Sequence, residues 1–121
     1  MATAMGHVYR AITTVVLAVC SCLVWAQPRP PALVDSAALA PEYRAAAAAV
    51  AQFLTQKGEN PKEFFANVEH APGDKDLVFH LWHQTAFEPQ NRNVVGNPGG
   101  KNRDVYFDVG SGTVTRMLFW Q

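Results

Sequence analysis

The sequence predicts an α+β fold, with one long N-terminal helix packed on a three- to four-stranded antiparallel sheet. Three observations predict it. Tyr43, Ala46, Ala47, Val50, Phe53 and Leu54 recur at helical spacing and form one apolar stripe. Residues 77–85 are rich in Phe, Leu, Trp and Val and read as a strand. Residues 103–108 and 113–120 flank Val109-Gly110-Ser111-Gly112, which reads as a hairpin turn. A striped helix and a sheet each have an apolar face to bury, and packing one on the other gives a layered domain.

The first element along the chain reads as an export signal. His7 and Arg10 make a short, weakly positive start, and residues 11–24 are apolar and uncharged. Val24-Trp25-Ala26 then places a small residue at a cleavage position ahead of Gln27. The apolar run is shorter than the roughly 20 residues of a spanning helix. Residues 1–26 are therefore expected to be removed as a signal peptide, leaving no integral membrane segment. The expected location is exported, periplasmic or extracellular. An alternative is lipid anchoring, with Leu17 ahead of Cys20 as in a lipobox, and Cys20 or Cys22 acylated. The cleaved chain lacks both cysteines, so no disulfide, thiolate metal site or thiol nucleophile is expected in it.

Residues 27–40 contain Pro28, Pro30 and Pro31 and are expected to form an extended tether. A single domain is then expected over residues 41–121. Its helix spans 41–57: Pro41 suits the first position, Glu42 the positive end, and Lys57-Gly58 the finish. Asn60-Pro61-Lys62-Glu63 caps a short second helix through Phe64-Phe65 or leads into a strand at 65–69, and the pattern leaves both open. Residues 71–74 make a turn. In the strand 77–85, Leu77, Phe79, Leu81 and His83 share one face, and Val78, His80, Trp82 and Gln84 the other.

Residues 87–102 form a long polar loop, mobile or functional. In the hairpin, the turn starts at Asp108 and Gly112 takes a positive φ. That register sets Phe107 opposite Thr113, Val105 opposite Thr115, and Asp104 opposite Arg116 as an ion pair. Val105, Phe107, Met117 and Phe119 then face the helix, and Tyr106, Val114, Leu118 and Trp120 face away. Gly99-Gly100, the strand Val105-Tyr106-Phe107-Asp108 and Gly112-Thr113-Val114 carry a family resemblance. This pattern, over about the last quarter of the chain, resembles cystatin-like folds, including the PepSY and nuclear-transport-factor-like groups. The resemblance implies a cystatin-like layer and a small secreted protein of the immunity kind.

Charge and composition exclude several classes. Ten Lys+Arg balance ten Asp+Glu, which argues against a nucleic-acid binder or a polybasic membrane-surface protein. Apolar residues make up 49% of the chain, too many for a disordered protein. His80-x-x-His83 would chelate a metal on a helix, but on a strand the two rings point apart, so no metal is expected. Ser36 and Ser111 lack the surroundings of a catalytic nucleophile. Residues 96–101 lack the spacing, the Ser or Thr and the following helix of a phosphate loop. No catalytic residue and no cofactor are expected.

The reading that remains is a binding protein, an inhibitor or immunity-like protein of the periplasm. Its expected partner is another protein or a second copy of itself. The candidate contact residues are Trp82, Tyr106, Leu118 and Trp120 on the outward sheet face, with Arg92 and Lys101 on the loop. The alternatives are a sheet-dimerising envelope module and a small ligand-binding or enzymatic cone using His80, His83 and Glu88.

Overall fold

Four strands form an antiparallel meander in the order β1 (Phe64–His70), β2 (Asp76–His83), β3 (Arg103–Asp108) and β4 (Thr113–Phe119). One helix, α1 (Arg44–Gln56), packs on one face of this sheet. The computed structural model describes residues 29–72 and 75–121. The expected signal sequence and both cysteines lie outside the described residues. Among the described residues, no helix is long and apolar enough to cross a membrane.

α1 is neither as long as expected nor the first element of the fold. Pro41–Tyr43 winds as a tighter 3-10 turn, and α1 follows with 13 residues. Its buried residues, Ala46, Ala47, Val50 and Leu54, belong to the expected stripe. The helix stops because Gly58 takes a φ of +82°, a left-handed conformation that side chains resist. Glu59 N–H then turns back to donate to the Leu54 carbonyl at 2.9 Å.

The stretch expected as a tether is seated on the domain. Ala66 N–H donates to the Pro31 carbonyl at 2.8 Å, and Leu33 N–H donates to the Phe64 carbonyl at 3.0 Å. These bonds close the outer edge of β1. Leu33 and Leu39 enter the core, and Arg44 Nε donates to the Ser36 carbonyl at 2.7 Å. Two buried leucines contribute about 1.5–3 kcal/mol each. Prolines also limit the freedom the unfolded chain must give up. The folded unit therefore starts before Pro41.

Of the two alternatives for residues 60–70 the strand occurs, and the helix through Phe65 is replaced by a single 3-10 turn. Asn60 Oδ1 accepts from Lys62 N–H at 3.1 Å and caps the 3-10 turn Pro61–Glu63. β1 begins directly after it. β2 keeps the expected alternation, with Leu77, Phe79 and Leu81 in the core beside Phe64, Ala66, Val105 and Phe107. Gln84 and Thr85, expected at the end of this strand, belong instead to the 3-10 turn Gln84–Phe87, which His83 caps.

The hairpin departs from the expected register. Gly112 N–H donates to the Asp108 carbonyl at 2.8 Å, and Gly112 has a φ of +70°. Asp108 therefore pairs with Thr113, and Phe107 with Val114. The register then shifts between Tyr106 and Phe107, leaving Thr115 as the extra residue of a bulge. Beyond it, Tyr106 faces Arg116, Val105 faces Met117 and Asp104 faces Leu118. The expected Asp104–Arg116 ion pair is not formed. Arg116 instead lies over the Tyr106 ring, 3.9 Å from its centroid. The bulge also turns Val114 toward the helix, where it packs against the core. Trp120 lies just past β4, its N–H donating to the Asn102 carbonyl at 3.1 Å.

Candidate functional site

α1 covers one sheet face, and the opposite face carries the expected aromatic set. The pleat sends Phe65, Trp82, Tyr106, Leu118 and Trp120 to that outward side. Trp82 and Trp120 meet edge to face with centroids 4.6 Å apart. The loop covers this end in part. Phe87 packs on Trp82 at 6.0 Å and on Phe65 at 5.5 Å. Arg29 lies over the Phe87 and Phe65 rings at 4.7 and 5.7 Å. Trp82 is thus partly buried, and its Nε1 is enclosed without a hydrogen-bond partner among the described residues. The β4 side of the face is more open. Leu118 is 50% exposed there, beside the Tyr106–Arg116 stack.

Level with Leu118 on the same face lies a polar cluster. His80 Nε2 lies 2.8 Å from Glu69 Oε1 on β1, and Nδ1 lies 2.8 Å from Asp104 Oδ1 on β3. Trp120 Nε1–H donates to the same Asp104 oxygen at 2.7 Å. Burial works against a charge on His80. The hydrogen bonds and charges of Glu69 and Asp104 outweigh it, so the imidazole is held above its ordinary range. Sequence reasoning missed both carboxylates. They become neighbours of His80 only through the β1–β2 and β2–β3 registers, which spacing along the chain does not display.

His83 points to the helix side, as the strand period predicts, and is 1% exposed. Thr85 N–H donates to His83 Nδ1 at 3.3 Å, which places the ring proton on Nε2. Nε2–H donates to Glu63 Oε2 at 2.8 Å. Thr85 Oγ1 lies 2.9 Å from Nδ1, an order of groups like that of a nucleophile, base and acid. His83 caps the 3-10 turn, and a Cβ on Gly99 would come within 2.4 Å of Thr85 Oγ1. The hydroxyl is packed under the loop. Glu88, expected as the partner of the histidines, accepts instead from Gln90. His80 and His83 stand on opposite faces and do not line one cavity. Among the described residues, no group of three or more His, Cys, Asp or Glu is placed to hold a metal ion.

Arg92 and Lys101 are exposed on the loop, and neither side chain joins the aromatic set. Asn97 and Asn102 of the same loop turn inward. Asn102 Oδ1 accepts from His83 N–H at 2.8 Å, and Asn102 Nδ2–H donates to the Pro98 carbonyl at 2.9 Å. Asn97 Nδ2–H donates to the carbonyls of Asn102 and Trp120, each at 3.1 Å. The loop is therefore tied to the end of β4, and it positions Trp120. Arg103 begins β3 on the helix side, buried between the rings of Phe119 (4.4 Å) and Phe64 (5.0 Å) and paired with Glu59 at 3.3 Å. No family model, curated protein or solved structure matches this chain.

Proposed function

We propose that this is a small exported binding protein, a periplasmic inhibitor or immunity-like protein, built on a cystatin-like layer and acting by protein–protein contact. The observation that carries this reading is the uncovered part of the outward face. Leu118 stands there half exposed with no described segment over it, and the part-buried Tyr106 and Trp120 lie on the same face. Apolar and aromatic side chains grouped on an otherwise polar surface are the usual content of a contact site. Arg92 and Lys101 are the proposed rim.

The test is binding by the intact protein and by its Leu118→Asp variant, each immobilised and exposed to envelope proteins of its source. The expected result is a protein that the native chain retains and the variant loses by about tenfold or more. Equal retention by both would move the contact elsewhere. The second reading, a sheet-dimerising module, is favoured by a different observation. The outer edge of β1 is closed by residues 31–33, whereas β4 pairs with β3 alone among the described residues. Sedimentation of the purified protein distinguishes the two: a dimer that Leu118→Asp dissociates supports self-association.

A further inference from the structure

We propose that Glu69, His80 and Asp104 form a proton-operated clasp across β1, β2 and β3. The imidazolium holds both carboxylates, and the neutral ring releases Glu69. The geometry carries this. Both ring nitrogens lie 2.8 Å from a carboxylate oxygen. A neutral imidazole has one N–H, so one nitrogen would present a lone pair to an anion at that distance. The closed arrangement therefore belongs to the doubly protonated ring.

The exposure of the two carboxylates decides which contact opens. The Glu69 side chain is 65% exposed and is readily hydrated once released. The Asp104 side chain is 24% exposed, and its Oδ1 also accepts from Trp120 Nε1–H. Nδ1–H therefore stays on Asp104, and the proton leaves from Nε2. The other charged or titratable groups on this face are Asp76 on β2, Tyr106 and Asp108 on β3, and Arg116 on β4. Arg116 is stacked on Tyr106, and Asp108 is engaged by Gly110 N–H. Neither is hydrogen-bonded to His80.

Opening frees one end of a link between β1 and β2 and makes the outward face more negative. His80 is shifted upward, so whatever stability the clasp contributes is complete below the ordinary histidine value. That contribution is lost as pH rises through the raised value. The clasp is a property of the protein alone and does not rest on the binding reading.

The test is NMR titration of the intact protein from about pH 5 to about pH 9, following the His80 ring nitrogens, the Glu69 carboxyl and the Trp120 indole N–H. The expected result is loss of the Nε2 proton, with the Glu69 carboxyl moving at the same midpoint and the Trp120 indole staying in place. Glu69→Gln is expected to lower the His80 midpoint. The proposal is overturned if Nδ1 loses the proton, if the Glu69 carboxyl does not respond, or if Glu69→Gln leaves the midpoint where it was.

Discussion

Asn102 is fully buried, although its type and its Gly-Gly-Lys neighbours suggest loop surface. Its side chain serves His83 N–H in a buried bond and the Pro98 carbonyl in a part-buried one. Asn102→Ala removes both partners and leaves two polar groups unsatisfied, at about 1–3 kcal/mol each. The expected outcome is a loss of about 2–4 kcal/mol in urea unfolding with an unchanged denaturant slope. A loss under about 0.5 kcal/mol would show that the loop satisfies these groups another way. The residue scale is where sequence reading was weakest. An asparagine in a polar loop looks the same whether it faces water or a buried amide. Glu69 and Asp104 likewise carry no mark, in their own neighbourhoods, of the histidine they hold.

At the scale of elements, the helix stripe and the β2 alternation were legible because each depends on periodicity alone. Val50 and Leu54 are fully buried where the stripe puts them, and His80 and His83 point apart as the strand period requires. The bulge at Thr115 was not legible. A single extra residue leaves the composition of β4 untouched yet changes every pairing beyond it, and so the partner of Arg116. The seating of residues 31–39 was also hidden, since prolines and small residues describe a linker as well as an edge strand.

The glycines test the loop and hairpin geometry. A Cβ at Gly112 meets nothing within 4 Å, so Gly112→Ala bears only the cost of its left-handed backbone, about 1–2 kcal/mol. Gly99 has a φ of +80° and would also strike Thr85, with its Cβ 2.4 Å from Oγ1 and 3.2 Å from the Thr85 carbonyl carbon. Gly99→Ala is therefore expected to cost more than Gly112→Ala, in thermal or urea unfolding. Equal losses would mean that the loop does not press on Thr85.

Taken whole, the molecule is an asymmetric layer. One sheet face is closed by α1, and the other is closed at the Trp82 end by Phe87 and Arg29 and left open around Leu118. The two edges differ in the same way, β1 bonded to its own chain at residues 31–33 and β4 paired with β3 alone among the described residues. The proposed export belongs to this scale too, since it would decide which partners the open face can meet. Mass spectrometry of the protein recovered from its own cells is expected to find an N-terminus at Gln27. Retention of Met1, or a diacylglycerol on Cys20 or Cys22, would contradict cleavage after Ala26.

The central claim is that the open outward face makes the functional contact. The most direct measurement places a photo-crosslinking side chain at residue 118, and in a second protein at residue 48, on the exposed side of α1. The expected result is a covalent adduct, to another protein or to a second copy, from position 118 and none from position 48. Adducts from position 48 alone, or equally from both, would contradict it.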